Sequence, residues 1–317
     1  MNLTHFLFEE NQDLPEGLAS VIADIANACK SISHDVARSA LLGLHGAIGV
    51  ENIQGEEVQI LDERSNNGLK NILADNDYVL VIASEEEADV VDVSAGKTSN
   101  GFGVAFDPLD GSSNIDINGS VGTIFSILPA ASAEESVFLQ GSNDQVAAGY
   151  VLYSSSTVMV FSTGEGVYEF TLDPDNGEFF LTGDNIKIPD NSGYISYNSY
   201  VLPKMDKKKA KAYENILFET GKSQRWMAAM VGDIHRTLMK GGFCAYPATL
   251  KGDGSYKGKW RLQYEVKPLG WLLEQAGGKA IVNDKPLSEV VPEHLHERAS
   301  GELGDAITVD LYLSYLK

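Results

Sequence analysis

The sequence predicts a mixed α/β (α+β) protein in two parts, and three observations carry that reading. Helical periodicity near the start leads into short apolar strands that end in clustered acids, the middle alternates like antiparallel hairpins, and helix-bearing segments return beyond a polar break. In residues 18–44 the apolar positions Leu18, Val21, Ile22, Ile25, Ile32, Val36 and Leu41 recur mostly at three and four, so an amphipathic helix with one buried face is expected there. "NNGLKNILADN" reads as a shorter helix. "YVLVIA", residues 78–83, is a β-branched run with the character of a buried strand, and "SEEE" follows at its carboxyl end. "FGVAF", residues 102–106, repeats the pattern and delivers Asp107 just past its end. Residues 121–188 are rich in Thr, Tyr, Phe and Val, broken by "TGEG", "DPDNG" and "TGDN", which are hairpin turn signals. "IPDNSGY" is the best linker, dividing the chain into residues 1–190 and 191–317. Beyond it, "RWMAAMVGDIHRTLMKGG" closes on a Gly pair, and "PLGWLLEQAGG" opens on Pro268 and closes on another, the expected helix punctuation.

Composition narrows the function. At 317 residues with 43% hydrophobic content, the chain is long enough to bury a substantial core. A net charge of −21 repels phosphodiester backbones and anionic lipid, so neither nucleic acid nor a membrane surface is an expected partner. No apolar run approaches the roughly 18 residues of a membrane span, and "MNLTHFLFEENQD" lacks the features of a signal peptide. With Cys29 and Cys244 the only cysteines, a disulfide framework is not expected, and a cytoplasmic location is.

The acids are the informative feature. "DPLDG" alone reads as a strand-to-helix turn, because Asp, Pro and Gly are ordinary turn residues. With "SEEE" beside it the bland reading weakens, since ligands bind outside the carboxyl ends of strands in α/β sheets. Two carboxylates about 4 Å apart repel by roughly 4 kcal/mol at an effective dielectric near 20, so a cluster needs a cation or captured protons. Oxygen-only donors select magnesium, manganese or calcium, and zinc would bring His or Cys. Magnesium, held by carboxylates and substrate phosphate oxygens, points to phosphate chemistry, with the following "GSSN" offering small residues and amides to the phosphate. A calcium-binding loop is the rival, but the spacing of its ligands is missing. Five basic residues, Lys251, Lys257, Lys259, Arg261 and Lys267, lie in one segment of this acidic chain against Asp253 and Glu265. They read either as a solvated loop or as a pocket for a second anionic group.

Taken together, "LDERSNN", "SEEE", "FDPLDGSSNID", "GTIF", "MVGDIHRTLMKGG" and "KWRLQYEVKPLGWLLEQAGGKA" resemble class I fructose-1,6-bisphosphatases, members of the lithium-sensitive, magnesium-dependent sugar phosphatase superfamily. The resemblance runs over nearly the whole chain. It implies a layered αβαβα sandwich of two domains, a homotetramer, and hydrolysis of the 1-phosphate of fructose 1,6-bisphosphate in gluconeogenesis, with two or three Mg2+ per subunit, or Mn2+ in their place. Carried over by position, the metal ligands would be Glu85, Glu86, Asp107, Asp110, Glu265 and the Leu109 carbonyl, with Asp62 and Glu86 placed to accept or orient the proton of the attacking water. Gly111, Ser112 and Ser113 fall where the family grips the transferred phosphate, and Asn198, Tyr246 and Lys259 where it holds the sugar and its 6-phosphate. Arg225 matches an arginine that reaches a neighbouring subunit's 6-phosphate.

Departures qualify the match. Trp226 stands where the family commonly has Tyr, which keeps sedoheptulose 1,7-bisphosphate hydrolysis, alone or alongside the fructose substrate, as the alternative. Where many relatives bind inhibitory AMP, this chain has "LPEGLA" and Gly101-Phe102, without the donors that a nucleotide phosphate requires, so weak AMP inhibition or none is expected. An acidic metal-binding protein without turnover is the reading from a different class, and retention of every expected acid argues against it.

Overall fold

The computed structural model describes residues 1–51, 57–190 and 193–317. The linker expected in "IPDNSGY" falls partly on residues 191 and 192, which lie outside the described residues. Eight strands form the larger sheet: β1 (Val79–Ser84), β2 (Val91–Asp92), β3 (Gly101–Asp110), β4 (Val121–Ala130), β5 (Ala147–Tyr153), β6 (Thr157–Ser162), β7 (Tyr168–Asp173) and β8 (Glu178–Gly183), in the order β8-β7-β6-β5-β4-β3-β1-β2. From β3 to β8 each strand pairs antiparallel with the next, the meander that the alternating patterns predict. β1 and β3 are parallel neighbours, with Ser84 opposite Phe106, so the two acid-bearing strand ends lie side by side as expected.

A second sheet of six strands comprises β9 (Tyr194–Ser196), β10 (Ser223–Gln224), β11 (Phe243–Tyr246), β12 (Gly278–Val282), β13 (Lys285–Pro286) and β14 (Gly301–Asp305), in the order β10-β9-β11-β14-β12-β13. Six helices make three further layers. α1 (Leu18–Ala37) and α2 (Ile60–Asp75) pack Val21, Ile22, Ile25 and Leu69 onto Val104, Phe106 and Phe125 of the larger sheet. α3 (Lys207–Glu219) and α6 (Ala306–Tyr315) cover the far face of the smaller sheet, where Tyr213, Ile216, Val309 and Tyr312 meet Phe243 and Ile281. Between the sheets lie α4 (Met230–Lys240) and α5 (Lys267–Gln275), with Val231, Ile234, Leu269 and Leu272 filling a core shared with Ile124, Tyr150, Val282 and Leu303. This is the αβαβα order, and α5 is apolar on most of its surface because both faces are covered.

One expectation fails at its end. The first helix does not reach Leu44: Arg38 leaves helical geometry at φ −122°, and a single turn, Ser39–Leu42, stops on Gly43 in the left-handed region. The apolar step widens from four to five between Val36 and Leu41, which takes Leu41 off the buried face and leaves it 83% exposed. No helix among the described residues is long and apolar enough to cross a membrane.

Candidate active site

The acids of "DPLD" do not follow a strand, as the sequence reading has it; they sit on an irregularity within β3. Phe102, Val104 and Phe106 enter the core under α1, and regular alternation would send Pro108 after them. Leu109 goes instead. Asp107 lies opposite Ile124 and Asp110 opposite Gly122, so three steps on β3 match two on β4, which is a one-residue bulge. The extra residue turns Asp110 to the side that Asp107 already faces, and both line one cavity. Asp107 Oδ1 accepts from the Leu109 N–H at 2.9 Å, tightening the turn. The strand then ends on Gly111, at φ +77°, where a Cβ would stand 2.5 Å from that of Ala229. Ser112 opens the 3-10 helix Ser112–Ile117.

Glu85 and Glu86 reach the same cavity from the turn after β1, whereas Glu87, the last acid of "SEEE", turns away to Lys70 and Asn66. Asp62 arrives from the first turn of α2, where its carboxylate accepts the Gln59 N–H at 3.0 Å. Glu265, expected here from the resemblance alone, is placed by a turn that its local sequence does not announce. The local pattern of "QYEVKP" reads as a strand with an exposed acid, but residues Leu262–Val266 form a π-helical turn leading into α5, and Glu265 is buried. Carboxylate oxygens of Glu85, Asp107 and Glu265 all lie within 4.8 Å of one another, and Glu85 Oε2 is buried with no hydrogen-bond partner. The Arg261 guanidinium contacts Glu85 at 2.5 Å, and its backbone N–H donates to Glu265 at 2.6 Å. One guanidinium does not balance these acids. Burial, opposed by Arg261 and reinforced by Glu265, pushes Glu85 up to about 8; burial and Glu265 push Asp110 up to about 7, and burial and Glu85 hold Asp107 well above the usual range.

These shifts have a thermodynamic consequence in the absence of metal. Glu85 and Asp110 keep protons in the folded chain that the unfolded chain, with ordinary values of 4.5 and 3.8, has already released. Their contribution to stability is therefore present in full below about pH 4 and is lost as pH rises toward 7 to 8. The chelator-treated protein is expected to unfold at a lower temperature at about pH 8 than at about pH 5.5, and added Mg2+ or Mn2+ to raise the midpoint more at the higher pH. Thermal scans at the two values, with and without cation, check this; a metal-free midpoint that climbs with pH would contradict it.

The cavity encloses about 360 Å3. Gly111, Ser112 and Ser113 line it beside the acids, and the first turn of α4 closes over them: the Val231 N–H donates to Asp110 Oδ2 at 2.7 Å, so one acid also caps a helix. Lys259, exposed at its rim, follows Gly258, where a Cβ would fall 2.0 Å from the Ala299 carbonyl carbon; only glycine lets this segment run so close to its neighbour. Tyr246 stacks on Trp260 at 4.7 Å between ring centroids and accepts from the Trp226 indole N–H at 3.3 Å. Thus Asp62, Glu85, Glu86, Asp107, Leu109, Asp110, Gly111, Ser112, Ser113, Tyr246, Lys259 and Glu265 all border one space.

Two expected residues do not. Asn198 accepts from the Tyr200 N–H at 3.0 Å, capping a 3-10 turn, and Arg225 donates to the Gln224 carbonyl and lies over the Tyr194 ring; neither lines the cavity. Conversely Gln59, Ala228, Met230 and Trp260 line it without having been expected there, and so does Arg261, expected only as one member of the basic segment. The basic segment divides: Lys257 pairs with Asp253 on an exposed hairpin, Lys259 and Arg261 face the cavity, and the buried Lys267 ammonium donates to the carbonyl of Gln140. A second cavity gathers Glu16 with Gly101 and Phe102, from the segments compared with the AMP site of relatives, beside Tyr78, and no basic residue among the described residues lines it.

Comparison with known proteins places this geometry. A family model described as "Fructose-1-6-bisphosphatase, N-terminal domain" matches residues 1–184, and one described as "Fructose-1-6-bisphosphatase, C-terminal domain" matches residues 188–317. The chain is 44% identical over 310 residues to the class 1 fructose-1,6-bisphosphatase of Shewanella amazonensis, covering 95% of this chain and 96% of that one. It is 44% identical over 309 residues to the Shewanella oneidensis protein of the same name, covering 95% and 94%. The holo form of Leishmania major fructose-1,6-bisphosphatase superposes with a TM-score of 0.92 at 33% identity, over 100% of this chain and 98% of that one.

Proposed function

The chain belongs to the class 1 fructose-1,6-bisphosphatase family, and on that premise we propose how its own residues hydrolyse the 1-phosphate of fructose 1,6-bisphosphate to fructose 6-phosphate and phosphate. The observation that carries the reading is a single cavity with buried, oxygen-only acids on one wall and a lysine on its rim, which suits a substrate with two separated phosphates. The buried acids fit divalent cations: their oxygens are close, Glu85 Oε2 lacks a partner, and the carboxyls otherwise retain protons. Glu85, Glu86, Asp107, Asp110, Glu265 and the Leu109 carbonyl would hold two or three Mg2+, or Mn2+. When bound, such ions acidify water and neutralise charge on the phosphoryl group.

The remaining work falls to the chain. Gly111, Ser112 and Ser113 orient the transferred phosphate, with the N-terminal turn of α4 above them. Asp62 and Glu86 accept or orient the proton of the attacking water. Tyr246 and Lys259 hold the sugar and its 6-phosphate. Arg225, exposed and outside its own chain's cavity, serves a neighbouring subunit's site in a homotetramer, and Asn198 completes the sugar contacts. The division into residues 1–190, bearing Asp62, Glu85, Glu86, Asp107 and Asp110, and residues 191–317, bearing Glu265 and Lys259, and a cytoplasmic location, which suits two buried free cysteines, complete the assignment.

Phosphate release with Mg2+ present, measured on fructose 1,6-bisphosphate, sedoheptulose 1,7-bisphosphate, fructose 6-phosphate and an inositol monophosphate, tests the reading. Fructose 1,6-bisphosphate is expected to show the highest kcat/KM. Faster turnover of the seven-carbon sugar would favour the alternative, and equal turnover of the monophosphates would remove the role given to Lys259.

A further inference from the structure

The bulge that assembles the acids needs something to hold it, and the residue opposite it is Thr123. Asp107 pairs with Ile124 and Asp110 with Gly122, so Pro108 and Leu109 together face Thr123 alone. Pro108 has no N–H, and the ladder loses its regular bonds at this rung. Thr123 is fully buried, and its hydroxyl supplies a substitute: Oγ1 donates to the Pro108 carbonyl at 2.9 Å. Its single proton thus committed, it accepts from the Tyr153 hydroxyl at 2.8 Å. The buried Cys29 thiol of α1 lies beside these two hydroxyls on the helix side. Thr123 itself does not line the cavity.

A regular register would turn Asp110 under α1, away from Asp107, because one residue of slip exchanges the faces of a strand. We propose that Thr123 is a positioning residue for the metal centre: its hydroxyl locks the one-residue bulge that brings Asp107, the Leu109 carbonyl and Asp110 to one side. The inference rests on the reading of those three as metal ligands. It also gives "GTIF" a task that core packing alone does not require, since valine would fill the same space.

The test compares Thr123→Val, nearly isosteric but without the hydroxyl, with Thr123→Ser, which keeps it. Mn2+ binding to the chelator-treated protein is read by calorimetry, and half-saturating Mg2+ is read in the phosphatase assay, with circular dichroism establishing the fold. T123V is expected to weaken Mn2+ binding and raise half-saturating Mg2+ by about tenfold or more, while KM for the sugar bisphosphate stays within about threefold. T123S is expected to remain within about threefold of the wild type on every measure. Should T123V not accumulate as folded protein, Thr123→Ala against T123S isolates the same hydroxyl. Folded T123V with wild-type Mn2+ affinity would overturn the proposal, and so would T123S as weak as T123V, which would assign the effect to the methyl group. Failure of the functional reading would show separately, as a wild-type protein that binds Mn2+ and releases no phosphate from any sugar bisphosphate.

Discussion

Removal of divalent cations is expected to abolish phosphate release, and Asp110→Asn to lower kcat by at least about 10^3-fold while leaving the fold intact. The magnitude follows from the charge to be balanced: several kcal/mol of transition-state stabilisation rest on the cations, and about 4 kcal/mol corresponds to three powers of ten. Asparagine is the informative substitution. Asp110 Oδ2 accepts the Val231 N–H at 2.7 Å in the first turn of α4, and an amide oxygen preserves that cap while removing the charge. Asp110→Ala is expected to lose the same activity and, in addition, about 1 kcal/mol of stability from the uncapped helix. Thermal denaturation beside steady-state kinetics separates the two effects. Full activity in chelator, or D110N at wild-type rate, would refute the metal-dependent mechanism.

How much of this was legible in the sequence depended on whether the signal was local. Two acid-bearing strand ends pointed to a carboxylate cluster in "SEEE" and "DPLDG", because together they weaken the reading of either as a plain turn; the individual ligands Glu85, Glu86, Asp107 and Asp110 came from the resemblance. The bulge was also written there, in the spacing of Phe102, Val104, Phe106 and then Leu109, which breaks period two at the residue that needs it. Glu265 was not: its burial depends on a π-helical turn and on acids far away in the chain, and a single Glu in "QYEVKP" carries no trace of either. Arg261 belonged to a visible basic cluster, but nothing local separates a guanidinium that counters buried carboxylates from lysines that are solvated or bound to carbonyls. The first helix ends at Ala37, short of the expected Leu44, because the five-residue step between Val36 and Leu41 breaks the helical period. The layered order and the assignment of Asn198 and Arg225 came from resemblance; the fold bears out the first, and neither residue meets the cavity of its own chain.

Lys259→Ala is expected to raise KM for fructose 1,6-bisphosphate by roughly 10- to 100-fold with kcat nearly unchanged and half-saturating Mg2+ within about twofold. Lys259 is exposed where it lines the cavity, whereas Glu85, Asp107 and Glu265 are buried in it, so it is available to the end of the substrate that does not react. A contact made equally in the ground state and the transition state lowers both, and its loss appears in KM alone. A charge-assisted hydrogen bond contributes about 1.5 to 3 kcal/mol, which gives the stated range at about 1.4 kcal/mol per tenfold. The other cation among the described residues lining the cavity, Arg261, contacts Glu85 and Glu265, so it is poorly placed to take over a phosphate that Lys259 releases. Lys259→Arg keeps the charge and is expected to recover most of the affinity, which distinguishes phosphate binding from a packing role for the aliphatic stem. An unchanged KM in K259A would mean that the second phosphate does not lie at this rim and would point instead to a monophosphate substrate.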